Sequence, residues 1–432
     1  MSNKGTSRAL PGSNDSLTPS SYSIRAIEIT TSAGLTLDIS NLINKFEIQE
    51  SIDSPFLSAV LVVVDATNFL EEHKLCGNEK IFIHVSRSPN SNLQDPQAFK
   101  LTFKIAEVFG YTRLEPTKQF YRFRCVSQHV YNDQAKILST SFRGTIGDLV
   151  HRITRDLEIK NKSVETSSKG IIKGIYPSIK PLEAIRWLMR SAYDNGMPYY
   201  FYETAKDQEV KFISYNTLIA LDPYDFYEFR PGFKNSIGTK EYYDEVRRRI
   251  ITIDGDLNMG QLYPLAKGAY SSTLNTLDIA TKTFKKQTFN YKGKKINKNK
   301  PFSEDKIFNK TYDTLDESTN YYISLNSKAF NDVDNYHAPT DISLNKYESH
   351  LRTIDFQSLN ILLSGDFELC VGQLIELKFI KATDPKHLDT DNLRDKYLSG
   401  KYMITRITHV FDEEFKQRVT IKRDSLGVDL NA

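Results

Sequence analysis

Cysteine is scarce. Cys76, Cys125 and Cys370 are too few and too scattered for a disulfide framework or a Cys-x-x-Cys metal site, which points to synthesis in a reducing cytosol. Tryptophan occurs once, and no apolar run approaches the length that spans a bilayer, so no membrane-spanning segment is expected. Neither sign of charge dominates. A formal net charge of +3 gives no whole-chain field of the kind that marks a nucleic-acid binder. Residues 1–21 are rich in Ser, Pro, Gly and Asn, lack the apolar core of a secretory signal, and are expected to form a flexible N-terminal arm. Catalytic signatures are missing too: there is no Gly-x-Ser-x-Gly elbow, P-loop, Gly-x-Gly-x-x-Gly or His-Glu-x-x-His. The eight histidines stand singly, without an i,i+4 pair or a nearby cysteine pair. No catalytic residue, cofactor or metal site is therefore assigned.

What is present is ordinary globular composition, with 39% hydrophobic residues, 24 Tyr and 25 Phe, in a chain of 432 residues. That length exceeds one core and predicts two to four domains. The most informative feature is a block that occurs twice. Gly77 leads into EKIFIHV (79–85), a loop, LTFKIAEVFGY (101–111), a charged turn and KQFYRFRCVS (118–127). Gly372 leads into QLIELKF (373–379), a loop, KYMITRITHVF (401–411), a charged turn and KQRVTIKRDS (416–425). The order and spacing match, with a Lys-Gln pair opening the third strand of each copy.

The rest of the chain falls into segments of different period. YSIRAIEIT (22–30), KFEIQES (45–51) and FLSAVLVVVD (56–65) read as strands, the last apolar on both faces and so expected to be fully buried. Ile81, Ile83 and Val85 share one face of the next strand, as do Leu101, Phe103 and Ile105 of its successor. These strands make a first β-domain, 22–130. Thr145 can cap a helix through Leu157, and Pro181 suits the first turn of a second helix that stops at Asn195-Gly196. With a hairpin from MPYYFYE (197–203) and EVKFISY (209–215), they predict a small α/β insert over 131–240. VRRRIITID (246–254) reads as a strand and 268–292 as a strand with a bend. A polar extended loop is expected at 293–345, so the second β-domain would comprise 241–292 and 346–428, split in sequence. The predicted fold class is mainly β (α+β).

Charged features have mundane readings beside functional ones. His84 and His409, lone histidines on strands, are expected to be surface or satisfied core residues rather than ligands. Asp384, Asp389, Asp391 and Asp395 gather in one loop, but Lys386, Arg394 and Lys396 interleave and no Asp-x-Asp-x-Asp-Gly order is present, which favours a solvated loop over a calcium site. Lys282, Lys285, Lys286, Lys292, Lys294, Lys295, Lys298 and Lys300, interleaved with Phe284, Phe289 and Tyr291, offer a grip for single-stranded nucleic acid, with Arg247, Arg248 and Arg249 as adjuncts. A hairpin tip facing water or an acidic partner is the reading preferred here.

In order, these pieces resemble the central hub proteins of T-even-type phage baseplates, a tail-tube-like barrel family related to the N-terminal regions of type VI secretion spikes. The resemblance rests on residues 46–85 with their Gly77-Asn78-Glu79 turn, on 176–203, on 268–291, and on the closing strands 362–379 and 402–424. It implies two tail-tube-like antiparallel β-barrels per chain with the α/β domain inserted, and a homotrimeric, pseudo-sixfold ring. Such a ring is a symmetry adaptor between a hexameric tail tube, or tube-initiator protein, and a trimeric central spike. It also implies contacts with baseplate wedge proteins, DNA met only by passage through the channel, no enzymatic activity, and a place in the virion tail baseplate after assembly in the host cytoplasm. Two alternatives remain open at this stage: a nucleic-acid-binding protein using Lys282–Lys300, and a hub-associated cell-wall hydrolase.

Overall fold

The computed structural model describes residues 20–87, 97–166, 171–192, 194, 197–229, 239–256, 266–290, 319–325, 340–381, 394–395 and 397–424. Alternating residues build the first half. It comprises β1 (Tyr22–Thr30), β2 (Thr36–Asp38), β3 (Ile43–Ser51), β4 (Ser58–Asp65), a one-turn helix α1 (Phe69–Glu72), β5 (Lys80–Arg87), β6 (Ala98–Glu115) and β7 (Lys118–Ser127). Ile81, Ile83 and Val85 of β5 and Leu101, Phe103 and Ile105 of β6 all face inward with no exposure, as their period of two predicts. Each such side chain removed from water contributes roughly 1.5–3 kcal/mol. One expectation fails. β4 is buried on one face only, because the sheet has its core on a single side: Ala59, Leu61 and Val63 are buried, while Val60, Val62 and Val64 are half-buried.

The middle of the chain changes period and folds around a third core. It runs through α2 (Gln128–Ala135), β8 (Ser141–Gly144), α3 (Ile146–Asp156), β9 (Lys162–Val164), β10 (Ile172–Ile175), α4 (Pro181–Ser191), β11 (Tyr199–Glu203), β12 (Val210–Ser214) and α5 (Tyr215–Ile219). Thr145 caps α3 by accepting a hydrogen bond from the Asp148 amide at 3.2 Å, and Ile146, Leu149, Val150, Ile153 and Leu157 form its buried stripe. α4 starts at Pro181 as expected but ends at Ser191, with Ala192 already extended; Asn195 and Gly196 lie outside the described residues. β11 and β12 pair antiparallel, and β9 adds in parallel to β12.

Strands then return as β13 (Phe226–Phe229), followed by α6 (Lys240–Arg247) and β14 (Ile250–Asp256), then β15 (Ser271–Asp278), β16 (Thr283–Asn290) and β17 (Asn320–Leu325). The chain closes with α7 (Thr340–Thr353), β18 (Gln357–Ser364), β19 (Leu374–Phe379), β20 (Gly400–Phe411) and β21 (Phe415–Arg423). Three local expectations change here. Arg247 ends a helix, capped at its start by Thr239, rather than opening a strand. The bent strand expected at 268–292 is the β15–β16 hairpin, turned at Lys282 with φ of 57°. Within the stretch expected to be loop, Thr340 opens α7 and Asn320–Leu325 is a strand laid parallel on β15, its polar residues tolerated because Tyr322 and Ser324 face water.

A single 13-stranded sheet carries both halves, in the order β14-β18-β21-β20-β3-β4-β7-β6-β5-β1-β2, with β19 on β20 and β13 on β19. The fold is thus mainly β, with a large curled sheet, small mixed sheets and short helices. Two hydrophobic cores sit under it. One gathers Ile27 to Phe123 with Phe367, Phe411 and Phe415; the other gathers Leu359 to Ile421 with Tyr202, Tyr215 and Leu218.

Candidate assembly interface and its buried polar chain

The duplication seen in the sequence is kept in the hydrogen-bond ladders. In one unit β3, β4, β7, β6 and β5 lie side by side; in the other β14, β18, β21, β20 and β19 do so. Ile43 pairs with Val63, and its counterpart Ile250 with Leu363, each followed by a one-residue bulge at Asn44 or Ile251. Ser58 pairs with Val126 as Ser358 pairs with Lys422. Ile105 pairs with Cys125 as Ile404 pairs with Ile421, again with a bulge next, at Ala106 or Thr405. Lys80 pairs with Lys104 as Leu374 pairs with Met403. A shift of one residue would turn every side chain to the other face, so four ladders agreeing with two bulges make this one architectural unit used twice.

The turn before β5 and β19 is also repeated, with a correction to the sequence alignment. Asn78 N donates to Ile105 O at 2.7 Å, and Gly372 N donates to Ile404 O at 2.9 Å. The counterpart of Gly372 (φ 84°) is therefore Asn78 (φ 76°), not Gly77, and both residues hold left-handed backbone. The amides of Cys76 and Cys370 donate to the side chains of Glu79 and Gln373 at 2.9 and 3.0 Å. The Lys-Gln pairs do not correspond: Val64 faces Phe120 where Ser364 faces Lys416, so the two hairpins differ by two positions. An irregularity between Phe109 and Thr112, where Gly110 has φ of 65°, absorbs part of the difference.

The two units meet at a strand junction. β20 pairs antiparallel with β3 from Arg406–Ser51 to Phe411–Phe46. On the inner face Phe46 stacks on Phe411 at 4.4 Å, and Phe411 on Phe415 at 4.2 Å. Beside them runs a buried polar chain. Glu50 takes the Ala205 amide on one oxygen at 2.8 Å and His409 Nε2 on the other at 3.2 Å. Gln417 accepts the Asp366 amide at 3.0 Å and donates to Asp366 O at 2.7 Å, which fixes its amide group; its Nε2 therefore donates to His409 Nδ1 at 2.9 Å. His409 is accordingly the tautomer with hydrogen on Nε2, directed at Glu50. Asp366 continues the chain to Tyr224 (3.0 Å) and Arg247 (3.3 Å), and Arg247 and Arg248 both hold Asp225, at 2.6 and 2.9 Å. Glu203, which is 1% exposed, takes the Leu57 amide at 3.0 Å; burial lifts its carboxyl to about 7, against the pull of that amide and Ser127, with Glu50 nearby adding to the lift.

Of the residues singled out from sequence, His409 is the satisfied core histidine expected. His84 lies half-buried on β5, where burial, Lys100 and Arg25 lower its basicity. The side chains of Arg247 and Arg248 are tied into the polar chain, whereas Arg249 meets Glu228 through a backbone β-bridge. Lys282, Lys285 and Lys286 are exposed on the β15–β16 hairpin; Lys292, Lys294, Lys295, Lys298 and Lys300 lie outside the described residues. Asp384, Asp389 and Asp391 also lie outside, while Asp395 holds the amides of Tyr397 and Leu398 at 2.8 and 3.0 Å as a turn former. Among the described residues no group of three or more His, Cys, Asp or Glu could hold a metal, and no helix is long and apolar enough to cross a membrane. Sequence reading missed Glu50 and Glu203, whose one available signal was acidic residues inside strands with buried neighbours.

No family model matches the chain, and no curated protein sequence does. Solved structures do. The tail protein from Neisseria meningitidis MC58 superposes with a TM-score of 0.52 at 10% identity, covering 94% of this chain and 98% of that one. The prophage MuSo2 43 kDa tail protein from Shewanella oneidensis gives 0.50 at 7% identity, covering 92% and 97%. An Escherichia coli type VI secretion component, c3393, described as similar to T4 bacteriophage tail proteins gp27 and gp5, gives 0.43 at 9% identity over 94% and 78%. The fold is that of the first two of these tail proteins. This chain matches both nearly end to end.

Proposed function

We propose that the chain is the structural hub of a contractile-tail baseplate, a homotrimer whose pseudo-sixfold ring joins a hexameric tail tube, or its initiator, to a trimeric central spike. The observation that carries this reading is the five-strand unit used twice at one register. Three chains with two like units present six equivalent positions to a sixfold partner while keeping threefold symmetry for another. The bridge between Glu228 and Arg249, just before β14, supports a second unit that closes towards a barrel. The tail-protein fold supports a place in the virion tail baseplate, assembled in the host cytoplasm beside wedge proteins, with DNA only passing through. A genome-free contractile injection device is the other setting in which such a ring would serve. Function here is mechanical, and no catalytic step is assigned to any residue.

The test is co-expression with a trimeric central spike protein from the same genome, followed by mass measurement of the purified complex. A three-to-three complex that also seeds tube assembly is the expected result. A chain that captures neither spike nor tube overturns the reading, and peptidoglycan clearing by the pure chain would replace it with a hydrolase.

A further inference from the structure

β20 serves two neighbours on one side. Its first half pairs with β19, from Leu377–Gly400 to Leu374–Met403, and its second half with β3. β6 is its counterpart. On the same side it pairs with β5 as far as Lys104, then runs on to Glu115 with that edge bare among the described residues. Glu107, Gly110, Tyr111, Thr112 and Arg113 are all exposed there, Tyr111 by 56%. β14, the counterpart of β3, pairs with β18 over its whole length and leaves its other edge bare among the described residues, with the β13 bridge reaching only Arg249. Ile251, Thr252, Asp254 and Gly255 are exposed. Each chain thus carries two halves of the junction it has already made once internally. Long bare edges are covered in native assemblies, by pairing or by a neighbouring element.

We propose that the Glu107–Glu115 edge of β6 pairs antiparallel with β14 of a second copy of this chain, at the register of the internal β20–β3 junction. Resting on the hub reading for the ring itself, this names the partner of each edge residue by residue. Thr408 faces Gln49 internally, so Phe109 faces Asp256 of the second copy; Val410 faces Glu47, so Thr112 faces its Asp254. Gly110 and Tyr111, the irregularity in β6, then sit opposite the single residue Gly255. Arg113 then faces Ile253 of the second copy, as Phe411 faces Phe46 internally. The two edges are complementary rather than identical, so the contact is head-to-tail, the kind a threefold ring repeats, rather than a twofold dimer contact. The two junctions differ in one respect. Gly110 and Tyr111 stand where His409 stands, so the polar lock of the internal junction is missing and the contact between chains separates first.

Paired cysteines test the register. In a Cys76→Ser background, Thr112→Cys combined with Asp254→Cys places two sulfurs on facing positions about 5 Å apart at Cα, within disulfide reach. The matched control is Thr112→Cys with Ile253→Cys, which points the second thiol to the other face. Both variants are checked for wild-type circular dichroism under reduction. Oxidation at concentrations where light scattering reports oligomer is expected to link the 112/254 variant into covalent dimers and trimers and to leave the 112/253 variant monomeric on denaturing gels. Linking at 112/253 instead, no linking in an assembled sample, or a chain that stays monomeric at all concentrations and does not link, overturns the proposal. Spike capture by an assembled but unlinked sample would leave the hub reading standing without this junction; linked rings that capture neither spike nor tube would do the reverse.

Discussion

His409 Nε2 lies 3.2 Å from Glu50 Oε1 across the β20–β3 junction, with both side chains fully buried. Because Gln417 occupies the other ring nitrogen, Glu50 is the only acceptor open to the His409 N–H at that site among the described residues. Removing the carboxyl strands two buried donors, the His409 ring and the Ala205 amide. Glu50→Ala is expected to cost about 3–5 kcal/mol in denaturant unfolding, and Glu50→Gln about half of that. Equal losses for the two variants would show that packing rather than hydrogen bonding holds the junction.

Glu203 predicts a pH dependence with a definite sign. Its carboxyl titrates near 7 in the fold against 4.5 for the ordinary group, so the folded chain holds a proton that the unfolded chain releases. Its contribution is fully present below about pH 4.5 and is lost as pH rises towards and through 7, an effect on the order of 3 kcal/mol. Glu203→Gln is expected to flatten the fall in stability between pH 5 and 7.5, read from melting temperatures in matched buffers. An unchanged slope in the variant would assign the pH dependence to other groups.

Gly372 and Gly77 separate steric from conformational demands. A Cβ on Gly372 would lie 2.2 Å from the Tyr202 hydroxyl, whereas one on Gly77 meets nothing within 4 Å. Both have positive φ, which costs an alanine roughly 1–2 kcal/mol. Gly77→Ala is expected to lose about that much, and Gly372→Ala about 2 kcal/mol more, as an overpacked site does. Tyr202→Phe in the Gly372→Ala background should recover part of the difference, and a double-mutant cycle measures it.

Arg423 is 1% exposed and donates to the carbonyls of Ser399 (3.1 Å) and Tyr397 and to Gln357, with its guanidinium 4.6 Å over the Tyr402 ring. A planar, multiply donating group meets this set and an ammonium does not. Arg423→Lys is expected to destabilise by about 2–4 kcal/mol, nearly as much as Arg423→Met. Full rescue by lysine would contradict the geometry.

Local period made much of the fold legible. The inward faces of β5 and β6, the Thr145 cap and the α3 stripe were readable because the causes lie within a few residues of one another. The repeat was legible as a pattern but not in register. Glycine was matched to glycine although Asn78 supports the same left-handed turn, and Lys-Gln to Lys-Gln although the hairpins differ in length. The junction was not readable at all. Its partners, Glu50 and His409, stand 359 residues apart, and nothing in either strand alone says which edge it meets. Glu203 was hidden for a similar reason, since its environment comes from Leu57, Ser127 and Glu50.

The internal junction has a consequence for synthesis. β3 leaves the ribosome early, but the strand that covers it follows 359 residues later at the Glu50–His409 pair, roughly 20–70 s at 5–20 residues per second. During that interval the edge of β3 is a template for any β20 within reach, including one on a finished neighbouring chain. Such a swapped pairing would satisfy the same backbone groups and the same Glu50–His409 contact, so thermodynamics hardly distinguishes it from the native arrangement. What separates them is proximity on a shared polysome. Fast translation and dilute expression should therefore favour correctly threaded protomers, and crowded overexpression should produce linked chains that pass every spectroscopic check yet fail to assemble as the proposed ring.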